Sequence, residues 1–524
     1  MSTTVGIQPP TEPSASVRRR GVPWGALAGV AAFALALGVA QLVAVLASPR
    51  ATPVVAVADT VIVFTPNWAK DLAIALFGVR DKLFLVTLVA VVAAVVAALA
   101  GLLEARRRHG GAVFSLVLGA ALAVAAATRP GADLLAWLPG LVAGGVALVV
   151  LPWLVRRGGA GDAAAPTSGP GRRVLLGGTV AAAGAAFLGA HLLGGRSRSL
   201  AAARETLVLP TPEEPVPAVP GRDTFDSVPG LTPFRTPNAD FYRIDTAVVV
   251  PMIEPRDWRL RIHGLVDREV ELDLADVLDR PLVEKWATLT CVSNEVGGDL
   301  IGNARWLGVP TAELLAQAGV RDDADMVLST SQDGFTAGTP LEALTDGRGS
   351  LLAVGMNGEP LPVDHGFPAR LVVPGLYGYV SATKWVVDLE VTRFADAEAY
   401  WTVRGWAERG PVKLSSRIDR PRDRTAREAD GTVVLAGVAW AQDVGVDVVE
   451  VRVDGGEWRT AELAEAGTSS TWRQWRYAWT PDVPGGYTVA VRATDRDGTV
   501  QTGDPAEPFP SGATGYHEVR LTVT

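Results

Sequence analysis

Uncharged apolar runs occupy residues 21–47, 83–103, 111–128, 134–155 and 174–190 of the 524-residue chain, the last continuing past a lone His191 to Gly195. Each approaches or exceeds the roughly 18–20 residues that a helix needs to cross a bilayer core. The pattern predicts five spanning helices. A further apolar stretch, 51–80, is interrupted by Asp59, Pro66, Lys70 and Asp71 and reads as a non-spanning excursion. That assignment matters, because a sixth span would invert the side on which everything after it lies.

After residue 200 the texture changes. Residues 201–235 are rich in Pro, Glu and Thr without helical periodicity and read as an extended linker. From about 236 to 404, alternating segments such as "WRLRIHGLV" (258–266) mix with helical spacing such as "TAELLAQAGV" (311–320), which predicts a mixed α+β domain. From 405 to 524, "GTVVLAGVAWA", "DVVEVRVDGGEWRTAEL", "WRQWRYAWTP", "GGYTVAVRATDRDG" and "EVRLTVT" alternate apolar and polar positions, and "DGGEW" signals a tight hairpin. This predicts a β-sandwich of about a hundred residues. The aromatic "TWRQWRYAW" (471–479) suits a strand whose tryptophans pack inward better than a glycan-binding face.

Charge orients the anchor. Arg18–Arg20, the "EARRRHGG" loop (104–111) and the basic residues between 156 and 173 all fall on one face if five helices span, and basic loops mark the cytoplasmic side. The N-terminus is then inside, and the chain after Gly195 faces outward from the cell membrane. Arg172 and Arg173, ahead of a Gly/Ala-rich helix, fit either plain cytoplasmic flanking or a twin-arginine export signal for a domain that folds around a cofactor before export. The net charge of −8 offers no basic excess for neutralising phosphates, so nucleic acid is not an expected partner. His191 has no helical histidine partner, so haem ligation within the anchor is not expected.

The chain holds one cysteine, Cys291, in "WATLTCVSNEVGG" (286–298), which excludes intramolecular disulfides. It ends a short β-prone run and opens into a loop carrying Asn294, Gly297 and Gly298. From the residues alone an inert buried thiol and a reactive one are both open; a Cys–His hydrolase would need a histidine base beside it, and a zinc site more ligands than are apparent. In "DHGFPARLVVPGLYGYVSATKWVVDLEV" (364–391), His365, Arg370 and Lys384 punctuate strand-like segments and turns. They suit an anionic, phosphate-bearing ligand, or else are unrelated charges on a solvated surface.

Together, "FYRIDT" (241–246), "LTCVSNEVGGDLIGNARWLGVP" (289–310), "DGFTAGTPLEAL" (333–344) and "DHGFPARLVVPGLYGYVSATKW" (364–385) resemble the sulfite oxidase family of molybdopterin enzymes. The resemblance covers about 235–524 and likens the C-terminal sandwich to that family's immunoglobulin-like dimerisation domain, implying a homodimer. It implies that Cys291 ligates molybdenum beside the sulfurs of molybdopterin. Asn294, His365, Arg370 and Lys384 would hold the cofactor, and Arg243 would face a small-molecule substrate. One cysteine then suffices, because the cofactor supplies the other sulfurs. The implied activity is oxygen-atom transfer with electrons exchanged through a separate cytochrome or membrane redox partner.

Departures from the family pattern bear on substrate. Sulfite oxidases carry two arginines where this chain has Glu295 and Val296, their active-site tyrosine appears as Trp406, and a histidine after the substrate arginine appears as Asp245. Positive charge is thereby removed from where a sulfite dianion would sit. A sulfoxide-type reductase fed from the membrane is the alternative enzyme, and a non-catalytic surface scaffold the alternative of another class.

Overall fold

The structure is a computed structural model that describes residues 15–47, 81–128, 135–159, 171–193, 196–217, 219, 223–247, 250–427 and 431–524. The 51–80 excursion lies outside the described residues, as does most of the basic loop at 160–170. The chain divides into two compact units, 1–195 and 196–524.

Among the described residues the first unit contains helices α1 (Ala15–Ala47), α2 (Asp81–Arg106), α3 (Gly110–Ala127), α4 (Leu138–Gly159) and α5 (Arg172–Leu193). Each contains 18 to 24 residues long and apolar enough to cross a membrane. Small residues set the packing. A Cβ on Gly29 would lie 2.0 Å from the Ala97 carbonyl oxygen, so α1 and α2 approach backbone to backbone, as membrane helices do when dispersion rather than hydrophobic exclusion joins them. The Glu104 carboxylate accepts the His109 and Ala112 amides, each at 3.0 Å, and so caps the start of α3 in the basic turn.

The second unit opens with helix α6 (Arg196–Thr206). The expectation of a linker from residue 201 is corrected here. The run of alanines around Leu200 continues the helix to Thr206, Leu200 is buried, and Arg204 donates to the Leu361 and Pro360 carbonyls at 2.8 and 2.7 Å. Of the described residues that follow, 207–217 form no helix and 226–231 form turns, and both stretches lie against the domain as a strap. Glu213 donates its amide to Leu282, and Phe225, Leu231 and Phe234 are buried. Their apolar side chains decide this, where the Pro-rich composition read as a spacer.

Two sheets follow. One runs in the order β2 (Val270–Asp273), β1 (Arg259–Gly264), β10 (Val386–Thr392), β5 (Met326–Ser331), β6 (Thr336–Pro340). The other runs β3 (Val283–Thr290), β4 (Ile301–Pro310), β7 (Leu351–Met356), β8 (Glu359–Pro360), with β9 (Arg370–Val372) also paired to β7. A core including Trp258, Leu260, Val309, Leu352 and Trp385 draws on both. Strands β3, β4 and β7 are buried along nearly their whole length, as expected of strands covered on two faces. The Thr311–Ala318 segment is helical as its spacing predicts.

The C-terminal part forms two further sheets. Their orders are β11 (Ser415–Arg420), β13 (Val433–Trp440), β17 (Arg473–Trp479), β16 (Glu462–Leu463), and β12 (Thr425–Arg427), β19 (His517–Val523), β18 (Gly485–Asp495), β14 (Val446–Val453), β15 (Arg459–Thr460). Leu435 and Trp475 from one sheet and Val449, Val491 and Leu521 from the other share an apolar cluster, so the inner faces pack together. Trp472 and Trp475 are fully buried, which removes them from any glycan-binding face. The hairpin signal sits at Asp454 and Gly455, both with positive φ.

Candidate functional site

Strand β3 pairs with β4 along its full length, from Val283↔Gly308 to Thr290↔Ile301, and delivers Cys291 as its next residue. The loop that follows is closed on itself. The Cys291 amide donates to Leu300, the Asn294 amide returns to the Cys291 carbonyl at 3.1 Å, and the Asn294 side-chain oxygen accepts the Leu300 amide at 2.8 Å. Asn294 therefore braces the loop rather than extending freely from it. Cys291 is buried, and burial pushes its thiol up from the usual range, while the Ser293 amide and hydroxyl pull the other way. Without a metal the sulfur is a neutral thiol; a coordinated metal would hold it as thiolate.

The second component is the turn between β8 and β9. Gly366 has φ +111° and its missing side chain leaves room for Arg370 Cβ and the Lys384 backbone, which a Cβ would meet at 3.0 to 3.2 Å. The turn thus brings His365, Arg370 and Lys384 together. All three are buried, so the solvated-surface reading of these charges is excluded. Arg370 lies over the face of Trp306 at 5.1 Å, and its guanidinium reaches only backbone carbonyls: His365 at 3.2 Å, Leu371 at 3.3 Å and Ala382 at 3.4 Å. Among the described residues it has no carboxylate partner. Burial lowers its pKa to about 10 from 12.5. His365 packs edge-on against Phe241 and is driven down to about 4, by burial first and then by Arg370 and Lys384. Lys384 donates to Asp245 at 2.7 Å and to the Asp364 carbonyl at 3.1 Å; burial nonetheless brings it down to about 8.

Arg243 is half-exposed at the edge of this cluster, with Nε 3.0 Å from Asp245 and Nη1 3.4 Å from Asp364. Its charge is shared between two carboxylates, and Asp245 bridges it to Lys384. Trp406 packs instead in an aromatic group with Tyr379, Trp401 and Phe509.

Sequence reasoning missed two tyrosines. Burial raises the Tyr242 phenol well above its ordinary range; the Cys291 sulfur adds to this and Arg370 opposes it, so the hydroxyl lies within electrostatic reach of both. Tyr377, buried, is raised to about 12, chiefly by burial, with Cys291 again contributing. Tyr242 was visible in "FYRID" beside Arg243, but nothing in the sequence sets it against a cysteine 49 positions away. Beside the loop, Thr290, Asn294, Glu295, Val296, Tyr377, Lys413 and Trp440 line a small recess.

No group of three or more His, Cys, Asp or Glu side chains suited to a metal occurs among the described residues. A metal on Cys291 must therefore take its other donors from a non-protein group. Arg370 without a carboxylate partner among the described residues, with Lys384 in its electrostatic neighbourhood and a neutral thiol that shares Tyr242 with it, fits a group that brings both an anion and sulfur donors.

Comparison with known proteins agrees with this chemistry. The family described as "Oxidoreductase molybdopterin binding domain" matches residues 247–401. The uncharacterized oxidoreductase YuiH of Bacillus subtilis (strain 168) is 35 % identical over 161 residues, covering 31 % of this chain and 78 % of that protein. The chain belongs to the sulfite oxidase family of molybdopterin-dependent oxidoreductases. Membership carries the molybdenum–molybdopterin cofactor with it. Rat mitochondrial sulfite oxidase is 31 % identical over 290 residues, 46 % of this chain and 52 % of that protein, so the chain spans about half the length of the mitochondrial sulfite oxidases it matches. The sulfane dehydrogenase SoxCD from Paracoccus pantotrophus aligns with 24 % identity and a TM-score of 0.47 over 55 % of this chain and 81 % of that one.

Proposed function

We propose that this chain is a membrane-anchored molybdenum oxidoreductase whose second unit faces outward and transfers an oxygen atom to or from a small substrate. The observation that carries the reading is the buried Arg370, a cation with no carboxylate partner among the described residues, which shares the electrostatic neighbourhood of Tyr242 with the buried Cys291 thiol. Burying an uncompensated charge is costly, and an anionic cofactor is the economical explanation.

In this reading Cys291 supplies the protein ligand to molybdenum. Arg370, His365 and Lys384 hold the pterin and its phosphate, with the planar guanidinium as a bidentate anchor and neutral His365 as a hydrogen-bonding partner. Asn294 keeps the cysteine loop closed. The cofactor, when bound, would supply two-electron oxygen-transfer chemistry, with an external carrier as the electron partner. Arg243 orients the substrate. Because Asp245 and Asp364 already neutralise part of its charge, and Glu295 and Val296 stand where arginines bind sulfite in the family, a weakly charged or neutral oxo-acceptor or sulfoxide is favoured over a dianion. The immunoglobulin-like C-terminal sheets would serve dimerisation as well.

The five apolar helices and their basic loops support a multi-pass anchor in the cell membrane with the site outside. Elemental analysis of the detergent-purified chain tests the reading. Near one molybdenum per chain is expected for the wild type and little for Cys291→Ser. Dye-linked assays in both directions then separate oxidase from reductase, and activity only with sulfoxides and reduced dye would establish the latter.

A further inference from the structure

The C-terminal sheets grip the cysteine loop directly. Arg417, on β11, is buried and donates from Nη1 to the Gly298 carbonyl at 2.7 Å. Its other atoms are fixed: Nε meets Asp419 at 2.6 Å and Nη2 meets the Thr232 hydroxyl at 2.8 Å, while the Thr232 amide returns to Asp419 at 3.1 Å. Next to it, the ring of His517 on β19 takes the Ile418 amide on Nδ1 at 2.9 Å and lies so close to Gly297 that a Cβ there would sit 2.4 Å from the ring.

The strand leading into the loop is held by the same sheets. The Thr288 amide donates to Ser470, its hydroxyl accepts the Trp472 amide at 2.8 Å, and Gln442 donates to the Thr290 hydroxyl at 3.1 Å. Strand β3 lies at the end of its sheet and is paired along its length with β4 alone. Here both the strand before Cys291 and the loop after it are bolted to a second set of sheets.

We propose that Arg417 is a positioning residue that fixes the geometry of the Cys291 thiolate through the Gly298 carbonyl. The C-terminal sheets are thereby a working part of the metal site. The inference rests on Cys291 being the metal ligand for its importance, and on the hydrogen-bond network alone for its mechanics. A charge-assisted bond to a loop carbonyl is the kind of restraint whose loss opens a loop without unfolding its domain.

Since Cys291 is the chain's only cysteine, the rate at which iodoacetamide alkylates the cofactor-free, full-length protein reports opening of this one loop. Arg417→Met should alkylate about tenfold faster than wild type, the factor given by ~1.4 kcal/mol of lost restraint. Arg473→Met serves as control, because that residue bonds the Ala464 carbonyl within the same sheets but does not touch the loop; it should alkylate at the wild-type rate. No acceleration in Arg417→Met, or equal acceleration in both variants, overturns the proposal. Should Arg417→Met fail to fold, Thr232→Val removes one of the three groups that aim the guanidinium and should accelerate alkylation in the same direction. An unchanged rate in that variant would also overturn the proposal. Molybdenum content of wild-type protein from a cofactor-making host is measured in parallel. An absence of metal there defeats the ligand assignment for Cys291 while leaving the alkylation result to judge the positioning network.

Discussion

Replacing Arg370 with methionine should leave the cofactor-free protein nearly unchanged and weaken the loaded one. Burial lowers the guanidinium from 12.5 to about 10, and at 1.36 kcal/mol per pKa unit that desolvation amounts to about 3 kcal/mol of destabilisation at neutral pH. Against it stand the stacking over Trp306 at 5.1 Å, worth ~1–2 kcal/mol, and three carbonyl contacts of 3.2 to 3.4 Å, each at the weak end of ~0.5–1.5 kcal/mol. These nearly cancel. Arg370→Met should therefore change the stability of the cofactor-free chain by no more than about 1 kcal/mol, although truncating a buried, paired charge ordinarily costs ~3–5 kcal/mol. In the loaded protein the variant forfeits two charge-assisted bonds of ~1.5–3 kcal/mol each, enough to lower cofactor affinity at least about a hundredfold. Urea melts of protein made with and without the cofactor, together with molybdenum content, measure both arms. A loss of ~3 kcal/mol or more in the cofactor-free chain, or full molybdenum content in the variant, would refute the assignment of Arg370 to an anion.

Other consequences are equally concrete. His365 is neutral in the folded protein, with a pKa near 4 against 6.5 unfolded. The unfolded chain binds the extra proton, so this contribution falls as pH drops from about 6.5 to 4, by up to ~3 kcal/mol; His365→Gln should flatten that acid limb in melts at fixed pH. Lys384 is lowered to about 8, so its charge on an anion fades as pH rises, and molybdenum retention after dialysis at pH 9 should improve in Lys384→Arg. Tyr242→Phe removes a hydroxyl near both Cys291 and Arg370, and should lower turnover at least about tenfold with molybdenum content unchanged. That effect corresponds to ~1.4 kcal/mol, and wild-type turnover would show that Tyr242 takes no part. Arg243→Ala should raise KM for the substrate more than it lowers kcat, and a loss of molybdenum instead would assign Arg243 to the cofactor.

The hydrophobic pattern alone determined the five apolar helices, the β3 run ahead of Cys291, and the strand segments β13, β14, β17, β18 and β19. These are local periodicities set by the chain's own geometry. Glycines and prolines around Cys291, His365, Arg370 and Lys384 marked turns that place side chains at strand ends, while the roles expected of these residues came from the family resemblance and not from the pattern. It misread 201–235, since Pro-rich composition says nothing about whether Phe225 and Phe234 find a surface to bury against. The tertiary structure alone decided that Arg370 lacks a carboxylate partner among the described residues, that Asp245 joins Arg243 to Lys384, that Tyr242 lies within electrostatic reach of Cys291, and that Arg417, 126 positions downstream of the cysteine, holds its loop. Each of these depends on which charges and donors meet across long stretches of chain, and pairing energies of that kind carry no periodicity for a sequence to display.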